Sequence, residues 1–258
     1  MFPVIPITDQ IFLPTYITII SLIYTLSLFW LLKRSKQYGF SARVALDSAF
    51  AVMIGGFVGA RLFHVFYEAF DYYQQDWMRV FYIWHGGFVF YGGAIGALIA
   101  VYFYTRISRI HFMDLADMYA IVFSVGYGFG RIACFLNGCC YGSRCDLPWS
   151  VEFPSEHIIG HRHPVQIYVF LWEIGTSLAL FWIEKQRFSN TRLRWAKPSG
   201  QLFLFWVFFH ALGRLMMEYF RDDYRGPSPY GMSISSWISV SLLLLSSHYL
   251  FHHRNTKR

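Results

Sequence analysis

Residues 10–32, QIFLPTYITIISLIYTLSLFWLL, run without a charged side chain and stop at Lys33-Arg34. A hydrocarbon core about 30 Å thick needs roughly 20 apolar residues of helix, so this stretch is long enough to cross a bilayer. The segment before it, MFPVIPITDQ, lacks the basic start of a signal peptide, and the span is expected to be retained. Six more apolar runs follow, at about 47–67, 86–105, 115–136, 164–183, 200–220 and 231–251. Few charges interrupt them: besides Asp47 and Asp117 at the starts of the second and fourth, these are Arg61 in the second, Arg131 in the fourth, Glu173 in the fifth, and Arg214 with Glu218 in the sixth.

The whole composition agrees with that reading. Of 258 residues, 55% are hydrophobic and 14% charged, where a soluble chain carries roughly 25% charged residues. A cytosolic enzyme, a disordered tail and a secreted disulfide scaffold are excluded. The expected fold is an all-α polytopic membrane protein with seven transmembrane helices. It forms a single membrane domain over 1–258, with a small outer-face loop at about 137–163 between the fourth and fifth spans.

The net charge of +7 does not mark a nucleic-acid partner, because the basic residues sit between apolar runs. Alternate loops hold Lys33, Arg34, Lys36 and Arg43; Arg106 and Arg109; Lys185, Arg187, Arg192, Arg194 and Lys197; and Arg254, Lys257 and Arg258. The positive-inside rule puts these loops in the cytoplasm, with the N-terminus outside and the C-terminus inside, as an odd number of spans requires.

In this topology spans two, four and six run outward, and Arg61, Arg131 and Arg214 each lie in the last third of their span. A charge inside a span costs about 2.5–3.5 kcal/mol or more, so three at one depth call for a ligand. A guanidinium grips phosphate through two parallel hydrogen bonds, which points to an anionic lipid headgroup. Snorkelling to the interface is the plainer alternative for any single arginine. Arg214 and Arg221 also lie four and three residues from Glu218, close enough for a structural pair. The segment from His85 through Tyr91 to Gly96 contains two glycine pairs, which suit either close ligand approach or helix packing through Gly92 and Gly96.

Six ordered motifs then resemble the prolipoprotein diacylglyceryl transferase family. They are Gly59-Ala-Arg61; Trp84-His-Gly-Gly-Phe-Val-Phe-Tyr-Gly-Gly93, similar to W-x-G-G-x-x-F-H-G-G; Gly130-Arg131 with Asn137-Gly138 and Tyr141-Gly142, similar to G-R-x-x-N-F-x-N-G-E-x-x-G; Asp146-Leu-Pro-Trp-Ser-Val-Glu-Phe-Pro154; His163-Pro-Val-Gln166-Ile-Tyr168; and Arg214-Leu-Met-Met-Glu218-Tyr-Phe-Arg221. The resemblance implies a bacterial inner-membrane enzyme that begins lipoprotein maturation. It moves the sn-1,2-diacylglyceryl group of phosphatidylglycerol to the lipobox cysteine thiol of an exported prolipoprotein, releasing glycerol 1-phosphate.

Carried over by motif, Arg131 and Arg214 bind phosphatidylglycerol and stabilise the leaving phosphate, Glu218 and Arg221 orient them, and Arg61, Asn137 and Gly142 belong to the lipid site. Tyr16 stands at the place of a family tyrosine in the first span. The resemblance implies no metal and no organic cofactor.

Three departures fall inside these motifs. The family histidine of F-H-G-G, the usual candidate base, is Tyr91; the asparagine three residues after the arginine is Cys134; the glutamate after N-G is Cys139. An unperturbed tyrosine, with pKa near 10, is a poor base at neutral pH. His85 and His210 are the available substitutes, His210 lying one turn before Arg214. An acceptor thiol, with pKa near 8.5, also needs little beyond a positive field.

All four cysteines, Cys134, Cys139, Cys140 and Cys145, fall within 12 residues. Disulfides stapling the loop, a metal site of nonstandard spacing, and a redox or acyl-carrying thiol are the open readings. Of the loop histidines, only His163 lies in a motif, while His157 and His161 suit an exposed loop. Glu173 is expected to be protonated or paired. A related transferase with another acceptor, and a non-catalytic lipid-binding protein, are the competing functions.

Overall fold

The computed structural model describes residues 3–8, 11–153, 160–189, 199–222 and 232–255. Each of the seven apolar runs forms a helix, and the ends are set by local chemistry. Helix α1 spans Thr15–Gln37 and not 10–32. Strands β1 (Val4–Thr8) and β2 (Ile11–Pro14) pair antiparallel ahead of it, an element the all-α expectation lacks. Prolines at 3, 6 and 14 favour extended backbone and disfavour helix in the residues before them, so the apolar stretch cannot start its helix at Gln10.

Helix α2 (Ala42–Phe63) starts at Ser41, whose hydroxyl accepts from Val44 N–H at 3.4 Å. It continues into a π turn at His64–Glu68, then the short helix α3 (Phe70–Gln74) and two 3₁₀ turns at Trp77–Phe81 and Ile83–His85. The remaining helices are α4 (Phe90–Ile107), α5 (Phe112–Asn137), α6 (Val165–Phe188), α7 (Gln201–Glu218) and α8 (Ile234–Asn255). Between α5 and α6 a two-residue pairing joins β3 (Val151–Glu152) to β4 (His161–Arg162).

Among the described residues, four helical stretches are long and apolar enough to cross a membrane: Thr15–Gln37, Ala42–Glu68, Phe112–Asn137 and Val165–Phe188. Ile234–Leu250 is a shorter apolar helix. Large apolar side chains such as Leu22, Leu26 and Phe29 of α1 and Leu244 and Leu245 of α8 stay exposed, as a lipid-facing surface requires. The chain is a multi-pass helical membrane protein.

Two compact units make up the chain, Met1–Phe29 with Ala116–Arg258, and Trp30–Leu115. The second is built on α2 against α4, where the backbones meet at Gly55, Gly59, Gly92 and Gly96. A Cβ added to Gly96 would lie 2.2 Å from Gly55 O, and one added to Gly59 would lie 2.3 Å from Gly92 O. Gly92 and Gly96 are therefore packing residues, small groups that let two helices touch. Gly96→Val is expected to destabilise this unit by about 1–3 kcal/mol, the usual range for overpacking. Thermal unfolding in detergent checks it, with Gly175→Ala, an open helical position, as comparison.

In the first unit α6 packs on α7, and α7 on α8. Gly213 of α7 sits against the Trp172 indole, whose N–H donates to Phe209 O at 2.9 Å. Fully buried Asp117 of α5 accepts from Gly200 N–H at 2.8 Å and Phe203 N–H at 2.9 Å, and from the Arg187 guanidinium. It thereby caps the start of α7, where no local side chain does so.

Candidate active site

Within the first unit, Arg131 projects from α5 six residues before its end. Its guanidinium stacks on the Tyr127 ring at 4.5 Å and donates to the Tyr127 hydroxyl, a pair one helical turn apart. The opposite contact of Tyr127 is His210 of α7, edge-on at 4.6 Å between ring centres. His210 Nδ1 lies 2.6 Å from Glu173 Oε1, and Ser124 Oγ donates to Glu173 Oε2 at 2.8 Å. Glu173, 1% exposed, is thus paired, as its position in an apolar run demanded. This leaves His210 only Nε2 for other chemistry.

One turn beyond His210, Arg214 donates to Glu218 Oε2 at 2.7 Å and to Ser235 Oγ at 2.8 Å. Arg214 and Glu218 thus form a pair one turn apart at the end of α7.

Tyr16 of α1, Arg131 and the thiols of Cys134, Cys139 and Cys140 lie within electrostatic reach of one another, and Cys140 also feels Arg221. Asn137 ends α5, with its side chain beside the Cys139 thiol. The Cys140 thiol is held well below the usual thiol range, first by hydrogen bonding with the Cys134 and Cys139 thiols, then by Arg221 and Arg131. All four cysteines stand as free thiols, with Cys134 buried and the other three partly so.

The loop after α5 is tied down at Gly142. Its N–H donates to His163 O at 3.0 Å, and it bridges to Arg221. A Cβ here would lie 2.5 Å from Phe220 O and 2.7 Å from both His163 Cβ and Val165 Cγ2. Gly142 is the residue that lets the loop pass between the end of α7 and β4.

Arg162 was not singled out from the sequence, yet it is nearly buried. It donates to Gly142 O at 3.1 Å and Asp222 Oδ2 at 2.9 Å, and covers the Tyr141 ring at 5.0 Å. Its place between two motif-flanking histidines was the available signal. His163 Nδ1 lies 3.2 Å from the Tyr168 hydroxyl, which accepts from Trp149 N–H at 2.8 Å. Gln166, 1% exposed, donates to Cys139 O at 2.6 Å.

The second unit contains Arg61, Tyr91 and His85. All five N–H groups of Arg61 point at backbone carbonyls: Val80 O at 3.0 Å, Arg79 O at 2.9 Å, Tyr82 O and Gly87 O at 3.2 Å, and Gly86 O. Tyr73 and Phe88 cover its guanidinium at 5.3 and 5.7 Å. No donor of Arg61 is left for a phosphate, in contrast to the direct lipid contact expected from the motif. Gly86 and Gly87 adopt φ of +77° and +82°, and a Cβ on Gly87 would strike the His64 ring at 2.4 Å. Tyr91 is the second residue of α4, and His85 ends the 3₁₀ turn before it. The His85 side chain, Pro154 and His157 lie outside the described residues.

Comparison with known proteins matches residues 4–252 to the model of the prolipoprotein diacylglyceryl transferase family. A phosphatidylglycerol–prolipoprotein diacylglyceryl transferase of Nitrosospira multiformis is 30% identical over 216 residues, 83% of this chain and 72% of that one. The protein of the same name from Clostridium tetani is 30% identical over 216 residues, 83% of this chain and 82% of the relative. That of Idiomarina loihiensis is 30% identical over 229 residues, 86% and 81% of the two chains. With a match over nearly its whole length and relatives aligned across most of theirs, this chain belongs to the prolipoprotein diacylglyceryl transferase family.

Proposed function

We propose that the protein transfers the sn-1,2-diacylglyceryl group of phosphatidylglycerol to the lipobox cysteine thiol of exported prolipoproteins, releasing glycerol 1-phosphate. The observation that carries this reading is Arg131. It is a half-buried guanidinium inside a helix, braced by Tyr127 and in reach of Tyr16, with no carboxylate paired to it among the described residues. A fixed cation in a poorly hydrated site is the group that stabilises charge developing on a leaving phosphate. Arg214, oriented by Glu218, is the second cation of the site, and Arg221 the third. Asn137 and Gly142 shape the loop that closes over the lipid headgroup. Arg61 acts indirectly, by holding the turns at 79–87 that lead into Tyr91.

The seven helical runs are read as seven crossings of the bacterial inner membrane, with the N-terminus outside and a single membrane domain. The basic loops support this orientation through the positive-inside rule. The lipid then enters from the outer leaflet, where Arg131 and Arg214 sit near the outward ends of α5 and α7.

On the thiol side, Tyr91 and His85 are the residues at the family base position and its flank. An ordinary phenol accepts a proton poorly at neutral pH. Tyr91→Phe is therefore expected to lower transfer by less than about threefold, and Tyr91→His to be tolerated; initial rates of peptide modification check both.

The reading is tested by glycerol 1-phosphate release from phosphatidylglycerol with a lipobox peptide and with its serine-for-cysteine version. Release only with the cysteine peptide is expected. Equal release with both means another acceptor, and none with either means a lipid-binding protein.

A further inference from the structure

Three sulfurs meet at one point because of the way α5 ends. Gly138, at φ +79°, donates to Phe135 O at 3.1 Å, and Cys139 N–H donates to Cys134 O at 3.1 Å. This pair of bonds is the Schellman arrangement, which folds the chain back over the last helical turn, where Cys134 lies. Cys140 then takes φ +64°, a conformation that costs a non-glycine residue about 1 kcal/mol or more and persists only where the surroundings impose it. The result is that the Sγ atoms of Cys134, Cys139 and Cys140 all lie within 4.8 Å of one another, with Cys139 and Cys140 at 3.7 Å.

Those separations suit a metal ion. Tetrahedral Zn–S bonds of about 2.3 Å place sulfurs about 3.8 Å apart, so each thiol needs to move by no more than about 1 Å. Three thiolates around a divalent cation carry a net charge of −1, and Arg131 and Arg221 are the compensating cations. Gln166 fixes the Cys139 carbonyl and keeps a second buried acceptor, Oε1, without a hydrogen-bond partner among the described residues. Three protein ligands are the number found where the fourth position is kept for water or substrate, whereas structural sites use four.

We propose that Cys134, Cys139 and Cys140 bind one zinc-class divalent cation, whose fourth position takes the acceptor thiol as its thiolate. The role assigned to the cation rests on the transferase reading above. Thiol coordination releases its proton to solvent. The sulfur lone pair then forms a C–S bond to the sn-3 methylene of the diacylglyceryl group, the C–O bond to phosphate breaks, and its electron pair leaves on glycerol 1-phosphate. No atom changes oxidation state in sum, and the neutral thioether product is the weaker ligand and departs. The three departures from the family motifs become one linked change: the histidine base is replaced by Tyr91, while two of the new cysteines, Cys134 and Cys139, supply ligands that perform the deprotonation.

Full-length protein, reduced and purified in detergent, is titrated with Co²⁺. One equivalent is expected to give the thiolate-to-cobalt charge-transfer band and the intense visible bands of a tetrahedral site, bleached by Zn²⁺. Cys134→Ser, Cys139→Ser and Cys140→Ser each weaken binding about tenfold or more, while Cys145→Ser, outside the cluster, retains it. A lipobox peptide strengthens the charge-transfer band and its serine version does not, and chelation lowers peptide modification about tenfold, restored by Zn²⁺. Absence of the cobalt spectrum, indifference of that spectrum to the three substitutions, or cross-linking of the three thiols in protein isolated without reductant overturns the proposal. Equal peptide modification with and without metal overturns it too, and leaves the transferase reading standing. A cobalt spectrum that responds to the peptide thiol supports the site even where no modified peptide forms, and that combination sinks the transferase reading instead.

Discussion

Arg131→Ala is expected to abolish diacylglyceryl transfer while leaving the protein inserted and folded. The guanidinium is held by stacking and a hydrogen bond within its own helix, and no carboxylate pairs with it among the described residues. Its removal therefore strands no carboxylate among the described residues, Arg221 remains beside the thiol cluster, and the fold loses little. The loss falls on the transition state, where a fixed donor to a developing oxyanion is worth about 2.7–4 kcal/mol, or about 10²–10³ in rate. Arg131→Lys should recover a fraction only, because an ammonium cannot reproduce the planar two-point grip on phosphate. Initial rates of peptide modification and the thermal transition of both variants check the separation. A transition unchanged from wild type beside a rate lowered at least a hundredfold is the expected pair of results.

Arg61→Met is expected to do the reverse and strike the fold first. The side chain is 6% exposed and spends all five donors on carbonyls of residues 79, 80, 82, 86 and 87. Met matches its length and apolar stem but leaves those carbonyls without their partner. Each buried acceptor so stranded costs about 1–3 kcal/mol, and water entry recovers part of the sum, so about 3–5 kcal/mol is expected. Limited proteolysis should show new cleavage within 79–87, and the thermal transition should fall in step. Lysine, with three donors on one nitrogen, should rescue incompletely.

These two arginines show what can be read from a sequence. Both stand out as charges inside apolar runs, and the cost of burying them announces that each has a partner. What the partner is depends on the path of distant chain. The carbonyls around Arg61 come from turns whose direction is set by Gly86 and Gly87 at positive φ, and by the close approach of α2 to α4. Asp117 illustrates the same limit, since its partners Arg187, Gly200 and Phe203 lie 70 to 86 residues away. The demand of Glu173 for a partner was legible, and His210 was legible as a neighbour of Arg214, but their pairing through Tyr127 to Arg131 was not.

The helices of the seven apolar runs were legible because an apolar run of about 20 residues with few charges has few alternatives. The hairpin at Val4–Pro14 was not, since a few apolar residues interrupted by prolines carry no usable period. For the thiol cluster, four cysteines within 12 residues were plain, and Asn137-Gly138 is the ordinary signal for a helix end. That the turn gathers Cys134, Cys139 and Cys140 and leaves Cys145 apart became visible only with the backbone in place.

The central claim is that this chain attaches a diacylglyceryl group to a cysteine. The most direct measurement is the mass of a lipobox peptide after incubation with the purified protein and phosphatidylglycerol of defined acyl chains. The account predicts a peptide heavier by one diacylglyceryl group, with the addition located on the cysteine and missing when Arg131→Ala replaces the wild type. An unmodified peptide beside intact lipid, with wild-type protein shown to be folded, would contradict it.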